Sequence, residues 1–190
     1  MALFIAIEGL DGCGSTTQVG LLAEVLEAHA TREPSDLPIG TFIRGVLGAR
    51  EVGDSVLPYL FAADRKDHLE REIEPRLAAG QPVVTDRYYH SSLAYQSLSA
   101  PLEFVLSLNA SFRVPDLTVF LDLSPEECLE RIAARGEHRD RFETMEQLHA
   151  ISRSYGAILA LLTGLGERIV AVDARGTPEE VHARVLACLP

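Results

Sequence analysis

Residues 4–17 read Phe4-Ile5-Ala6-Ile7-Glu8-Gly9-Leu10-Asp11-Gly12-Cys13-Gly14-Ser15-Thr16-Thr17. The apolar start of this stretch predicts a buried strand, and the glycines predict a tight loop into a helix that begins near Ser15. In loops of this spacing, backbone N–H groups converge on phosphate oxygens at a helix N-terminus. We therefore expect the loop to bind nucleotide phosphates through Gly9, Leu10, Asp11, Gly12, Cys13, Gly14, Ser15, Thr16 and Thr17, with Thr16 placed to ligate Mg²⁺.

The loop departs from the usual motif at one position. The spacing G-x-x-x-x-G-K-[ST] places a lysine before the hydroxyl residue, and this chain has Ser15 there. That lysine neutralises charge at the β- and γ-phosphates, so its loss should lower kcat more than binding.

Composition limits the other classes of partner. The 190 residues are 47% hydrophobic, which suits one domain spanning residues 1–190. A net charge of -11 argues against binding to nucleic acid or to an anionic membrane surface. The three cysteines show neither zinc-site nor disulfide spacing, which favours a reducing cytoplasm, and we expect no leader and no membrane span.

Apolar strand-like runs alternate with helical patterns along the chain. Strands are predicted at residues 3–7, 82–85, 117–121 and 168–172, with a short strand at 28–31, and helices at 57–79, 102–112 and 143–162. Ser124-Pro125-Glu126-Glu127 and Thr177-Pro178-Glu179-Glu180 each supply a hydroxyl cap, a proline and acids for a helix start. The order indicates an α/β fold with a parallel sheet.

Five blocks in sequence together resemble the thymidylate kinase family. They are Ile7-Glu8-Gly9-Leu10-Asp11-Gly12, Thr31-Arg32-Glu33-Pro34 with Pro38-Ile39-Gly40, Leu60-Phe61-Ala62-Ala63-Asp64-Arg65, the block from Asp86-Arg87-Tyr88 to Tyr95-Gln96, and Pro115-Asp116-Leu117-Thr118. The resemblance implies a three-layer P-loop kinase fold, with a five-stranded parallel sheet flanked by helices and a short lid at about residues 131–143. It also implies phosphorylation of dTMP to dTDP, with ATP as donor and Mg²⁺ as cofactor, by a homodimer.

The resemblance further assigns an acceptor site. Arg87 and Asp86 close a predicted strand, where charges face the ligand crevice of a parallel sheet. By resemblance, Arg87 holds the acceptor phosphate and Asp86 helps to place Mg²⁺. Phe61 and Arg65, four residues apart on one helix, share a face that suits stacking on the base and donation to its carbonyl edge.

The remaining acceptor contacts are implied by resemblance alone. Tyr95 crowds the sugar 2′ position, Asp11 contacts the 3′-hydroxyl, and Ser92 lies near the base. Tyr155 falls where another tyrosine on the sugar side is expected, and Arg32 resembles a second arginine for the acceptor phosphate.

The most basic stretch of this acidic chain surrounds Gly136 and resembles the family's lid. A closing lid brings fixed positive charge to the transferring phosphoryl and excludes water. Arg135, Arg139 and Arg141 are the arginines expected at the phosphoryl group, and Arg131 is expected at ATP. Arg175, in a loop that borders the adenine in related kinases, is also expected at ATP.

Four interpretations follow. The chain is an active dTMP kinase that relies on lid arginines, the same enzyme impaired at Ser15, or a nucleotide-binding homologue without turnover. A deoxynucleoside kinase shares the phosphate loop and an arginine after a strand, but does not need two arginines for an acceptor phosphate.

Overall fold

The computed structural model describes residues 2–49, 52–135 and 144–190. Its strands form one fully parallel sheet in the order β2-β3-β1-β4-β5. The strands are β1 Phe4–Gly9, β2 His29–Arg32, β3 Val83–Asp86, β4 Leu117–Asp122 and β5 Ile169–Asp173. The predicted five-stranded parallel sheet is thereby confirmed, and all carboxyl ends lie at one edge.

Helices cover both faces of this sheet. They are α1 Ser15–Leu26, α2 Pro38–Ala49, α3 Leu57–His68, α4 Glu74–Ala78, α5 Tyr89–Gln96, α6 Leu102–Asn109, α7 Pro125–Arg135, α8 Met145–Gly164 and α9 Pro178–Leu186. Among the described residues, no helix is both long and apolar enough to span a membrane.

Alternating side chains of the central strands build two cores. Ile5 and Ile7 of β1 join a cluster with Leu22 of α1 and Val185 of α9. Phe4 and Ala6 join a second cluster, which holds Tyr88, Leu93, Val105 and Ile158. Because successive side chains of a strand point to opposite faces, the buried strand β1 separates the two cores.

The predicted helix starts at Ser124 and Thr177 are confirmed. The Ser124 Oγ accepts from the Glu127 amide at 3.2 Å, and Thr177 forms a reciprocal capping box with Glu180. These are local interactions between residues three apart, which explains why short sequence motifs predict them.

The helix predicted over residues 57–79 is confirmed in extent, since residues 57–78 are helical throughout, but it is not α-helical along its whole length. A π-helical turn, Leu69–Ile73, separates α3 from α4. Pro75 is the second residue after this turn, and a proline cannot donate to the carbonyl four residues earlier and clashes with it, so the helix widens there. Helices α2 and α5 were not predicted, and α6 ends at Asn109, three residues before the predicted end.

Candidate functional site

The phosphate loop joins β1 to α1 at the centre of the sheet. Gly12 and Gly14 have φ of 89° and 98°, in the left-handed region that favours glycine. A Cβ on Gly12 would also lie 2.5 Å from the Cys128 backbone oxygen. No described side chain caps α1, so the N–H groups of its first turn are available to an anion.

Cys13 of this loop and Cys128 of α7 are both buried. Burial raises the pKa of the Cys13 thiol to about 11 and that of the Cys128 thiol to about 12. Both therefore stay as neutral thiols at physiological pH. Cys13, Cys128 and Cys188 are free.

Thr16 and Asp86 meet at the carboxyl ends of β1 and β3. The Thr16 Oγ1 donates to the Asp86 Oδ2 at 2.5 Å, and the Asp86 Oδ1 is buried without a hydrogen-bond partner among the described residues. A hydroxyl and a carboxylate are suitable oxygen ligands for Mg²⁺. The described residues contain no cluster of three or more His, Cys, Asp or Glu suited to a metal.

A cavity of about 340 Å³ opens beside the loop, at the carboxyl ends of β1 and β3. Its volume is typical of a small-molecule site. It is lined by Asp11, Glu33, Pro34, Arg44, Leu47, Phe61, Arg87, Tyr88, Ser91, Ser92, Tyr95 and Gln96. Five predicted acceptor residues are thus brought together, namely Asp11, Phe61, Arg87, Ser92 and Tyr95.

Arg87 is the central cation of this cavity. Its φ of 70° lies in the left-handed region, which is unusual for a residue other than glycine and is often found at functional sites. Its Nη2 donates to Asp11 Oδ1 at 2.7 Å, and its Nη1 donates to the Gly9 carbonyl and to Ser91 Oγ, both at 3.0 Å. The guanidinium is therefore held in place by bonds within the protein.

The charge of Arg87 is permanent. Burial opposes it, yet the surrounding groups, led by Tyr95 and Asp11, hold the arginine's pKa well above its usual value. The guanidinium carbon also lies 5.3 Å from the centre of the Tyr95 ring, within cation–π range.

Glu8 supports Arg87 from inside the protein and was missed by the sequence analysis. Its fully buried carboxylate accepts from the Tyr155 hydroxyl at 2.9 Å and from Ser91 Oγ at 2.6 Å. Both hydroxyls also lie within hydrogen-bond distance of Arg87 Nη1. The sequence did carry a signal for this role, because Glu8 is a charged residue at the end of an apolar strand. A carboxylate buried at such a position is normally paired with hydrogen-bond donors.

Tyr155 is 0% exposed and lies beneath Arg87 rather than at the cavity wall. Its predicted contact with a sugar stays a prediction, and its visible role is to hold Glu8 and Arg87. Burial raises the pKa of Tyr155 well above its usual value, so the hydroxyl stays protonated and can donate.

Arg65 lies behind the part of the cavity wall that Phe61 and Ser92 line. It is 1% exposed and its Nη2 donates to Ser92 Oγ at 2.9 Å. Of the predicted pair, Phe61 lines the cavity and the buried Arg65 does not, so the predicted donation of Arg65 to the base stays a prediction.

Two further arginines lie near this site. The Arg32 side chain is 54% exposed, ends β2, and pairs with Asp36 at 2.6 Å, so its predicted contact with an acceptor phosphate stays a prediction. Arg44 lines the cavity and donates to the carbonyls of Pro34 and Ser35. It was missed because α2 itself was not predicted.

A second cavity, of about 380 Å³, lies on the other side of the phosphate loop. It is lined by Gly12, Cys13, Gly14, Thr17, Gln18, Arg131, Ala134, Gly176, Pro178 and Val181. Arg131 donates to the carbonyls of Cys13 and Ala174, which ties α7 to the loop. Five of the predicted ATP residues therefore share this cavity, namely Gly12, Cys13, Gly14, Thr17 and Arg131, whereas the other predicted residues of the loop do not line it.

Gly176 brings the loop after β5 to this second cavity, and the predicted contact of this loop with adenine stays a prediction. The exposed Arg175 side chain, however, pairs with Asp173 at 2.7 Å and does not line the cavity. The predicted phosphoryl-site residues Arg139 and Arg141 lie outside the described residues, as does the side chain of Arg135 at the end of α7. Residues 136–143, which make up most of the predicted lid, also lie outside the described residues.

The phosphate loop, parallel sheet and flanking cavities define a P-loop kinase fold. The sequence matches the thymidylate kinase family over residues 7–185. It is 39% identical to a probable thymidylate kinase of Pyrobaculum calidifontis, covering 98% of this chain and 95% of the relative. A probable thymidylate kinase of Methanococcus vannielii is 42% identical, with 95% and 92% covered.

A solved thymidylate kinase structure from Candida albicans superposes with a TM-score of 0.85. The two are 26% identical in sequence, and the match covers 98% of this chain and 90% of that one. The chain belongs to the thymidylate kinase family.

Proposed function

We propose that the chain transfers the γ-phosphoryl group of ATP to dTMP, giving dTDP and ADP. The observation that carries the proposal is the position of Arg87, which lines the first cavity and bonds the carbonyl of Gly9 in the phosphate loop. An acceptor phosphate held by Arg87 would thus lie beside the donor phosphates.

The transfer needs little covalent chemistry from the protein. A phosphate oxygen of dTMP forms a bond to the γ-phosphorus while the bond from the γ-phosphorus to the bridging oxygen of ADP breaks. Arg87 orients the attacking phosphate, and the loop N–H groups orient the donor. Mg²⁺, held by Thr16 and Asp86, would neutralise charge on the donor phosphates.

Asp11 connects the two parts of the acceptor site. Its Oδ1 accepts from Arg87 and its Oδ2 accepts from the Tyr95 hydroxyl at 3.1 Å. This fixed carboxylate suits the sugar 3′-hydroxyl, and the adjacent Tyr95 ring suits a deoxyribose, which has no 2′-hydroxyl to accommodate.

Ser15 supports a second candidate, a nucleotide-binding homologue without turnover. No lysine follows Gly14, so the loop supplies only backbone N–H groups and a hydroxyl where a cation is usual. We favour the active enzyme, with arginines of the lid segment as the compensating charge, since an arginine finger contributes about 10³ to 10⁵ in kcat.

A product assay separates these candidates from one another and from a deoxynucleoside kinase. Incubation with ATP and Mg²⁺ should convert dTMP to dTDP and leave thymidine unchanged. Binding of ATP and dTMP by calorimetry without dTDP formation over hours would instead establish the homologue without turnover. Phosphorylation of thymidine would establish the deoxynucleoside kinase.

We also propose a homodimer in the cytoplasm. Phe42 of α2 and Tyr59 of α3 are 54% and 56% exposed, and large apolar side chains at the surface favour burial against a second copy. Analytical ultracentrifugation of the chain and of Phe42→Asp tests this. A dimer that Phe42→Asp leaves intact would place the interface elsewhere.

A further inference from the structure

A fully buried histidine lies between two carboxylates behind the acceptor site. His90 of α5 is 0% exposed, and its Nε2 lies 3.0 Å from Oε2 of Glu167, in the segment between α8 and β5. On the other side of the ring, Nδ1 lies 3.6 Å from Oε1 of Glu8, at ion-pair rather than hydrogen-bond distance. The Glu167 side chain is 13% exposed. His90 therefore connects the buried carboxylate that supports Arg87 to a second carboxylate close to the surface.

The donors that hydrogen-bond to Glu8 are all neutral. Its Oε1 accepts from the backbone amides of Tyr88 and Ser91, and its Oε2 accepts from the hydroxyls of Ser91 and Tyr155. Because both oxygens accept, the side chain is an ionised carboxylate. Among the described residues, His90 Nδ1 is the one ionisable nitrogen within 4.0 Å of it. A buried charge is costly unless it is paired, so His90 is the available counter-charge.

The protonation of His90 follows from the two carboxylates on opposite sides of its ring. A neutral imidazole carries a proton on one nitrogen only, so the other nitrogen would direct a lone pair at a carboxylate. The ring with both protons instead donates from Nε2 to Glu167 and directs a positive N–H toward Glu8. The imidazolium is therefore the form that suits both neighbours.

The other groups that face the ring are neutral. Thr118 of β4 places its hydroxyl oxygen 3.3 Å from Nε2, and the Tyr89 ring stacks on His90 with centroids 4.3 Å apart. Burial raises the pKa of Tyr89 well above its usual value, so its phenol stays protonated. Burial alone would raise the pKa of Glu167 as well, but the hydrogen bond from His90 lowers it below its usual value. The ring thus faces two carboxylates and two neutral side chains.

We propose that His90 is a positioning residue for the acceptor site and acts as an imidazolium that keeps Glu8 ionised and oriented. Glu8 in turn holds the hydroxyls of Ser91 and Tyr155, which lie 3.0 and 3.3 Å from Arg87 Nη1. Loss of the His90 proton leaves a lone pair facing Glu8, which favours protonation or rotation of that carboxylate and loosens Arg87. This inference rests on the proposed function, since it concerns the arginine that would hold the acceptor phosphate.

Glu167→Gln tests the inference with little change in packing. The amide oxygen still accepts from His90 Nε2, but the negative charge that favours the imidazolium is lost. Glu126→Gln is the matched control, because Glu126 pairs with His149 at 3.1 Å where both side chains are exposed. The readout is the Kd for dTMP from calorimetry at about pH 6 and about pH 7.5, each divided by the wild-type value at the same pH. This division cancels the titration of the dTMP phosphate.

We expect Glu167→Gln to weaken dTMP binding by about tenfold at the higher pH and by less than about twofold at the lower pH, where His90 regains its proton. ATP binding should stay unchanged at both. Glu126→Gln should match the wild type throughout. An equal ratio at the two pH values would overturn the inference, because a purely structural role for Glu167 does not depend on the charge of His90.

NMR of the ring nitrogens tests the protonation of His90 without any bound nucleotide. In the chain labelled with ¹⁵N-histidine, the His90 signals are those that disappear in His90→Phe. If His90→Phe does not fold, they are the signals that shift in Glu167→Gln and not in Glu126→Gln. Both nitrogens should carry protons in the wild type at neutral pH, and one should lose its proton in Glu167→Gln at the higher pH.

This measurement separates failure of the inference from failure of the proposed function. A neutral His90 ring in the wild-type chain at neutral pH would overturn the inference even if the chain forms dTDP. Absence of dTMP binding and of dTDP formation would overturn the proposed function, and the NMR spectrum would then decide whether His90 is the imidazolium that pairs with Glu8.

Discussion

The acceptor cavity and the phosphate loop hold charge in different ways. In the acceptor cavity, Arg87 is fixed by bonds to Asp11, Ser91 and Gly9, with Glu8 behind them. In the phosphate loop, the cation of the usual motif is absent and Ser15 stands in its place. Side chains therefore preorganise the acceptor site, while the backbone preorganises the donor site.

Arg87→Ala should have the largest effect. Without the guanidinium, the acceptor phosphate loses its fixed charge partner and Asp11 loses its ion pair, so kcat/KM for dTMP should fall by about 10³ or more. A coupled assay measures it. The exposed Arg71→Ala is the control and should keep wild-type kinetics. An Arg87→Ala enzyme within threefold of wild type would refute the assignment of the acceptor site.

Gly12→Ala should weaken the binding of ATP but not the binding of dTMP. Its Cβ would clash with the Cys128 carbonyl at a strained φ, so we expect a loss of about 1–3 kcal/mol in stability and weaker ATP binding. Thermal melting and calorimetry measure both.

Gly20→Ala is the control for this change. It lies in α1 with no atom within 4 Å of the new Cβ, and should stabilise the protein by about 0.4–1 kcal/mol. Equal losses of ATP and dTMP affinity in Gly12→Ala would show that the two sites are not organised independently.

Tyr155→Phe should have the smallest effect on the acceptor side. It removes one hydroxyl from Glu8 and Arg87 but keeps the buried ring, so kcat/KM for dTMP should fall by about tenfold with little change in ATP binding. The exposed Tyr59→Phe is the control. An equal fall in ATP binding would show that Glu8 supports both the donor site and the acceptor site, and not only Arg87 of the acceptor site.

The sequence predicted features that depend on neighbouring residues. The strand before Gly9, the loop and the Thr177 cap each involve interactions within a few positions, and the structure has all three. The family resemblance then predicted that Arg87 and Ser92 belong to one acceptor site, and both residues line the first cavity.

Contacts between distant residues could not be predicted. Glu8 and Tyr155 are 147 positions apart, and Glu33 and Arg65 are 32 apart, so no local pattern pairs them. Arg44 was missed because its helix was missed, and the π-helical turn after α3 lies within an unbroken helical pattern. The fold was therefore more predictable than the support behind the site.

The coupled dTMP kinase assay on the wild-type chain and on Ser15→Lys tests the comparison most directly. Restoring the cation to the loop should raise kcat by roughly 10² or more, because it stabilises charge at the transferring phosphoryl, and should leave the KM for dTMP nearly unchanged. An unchanged kcat in Ser15→Lys would contradict the account and show that the donor site already has its full charge.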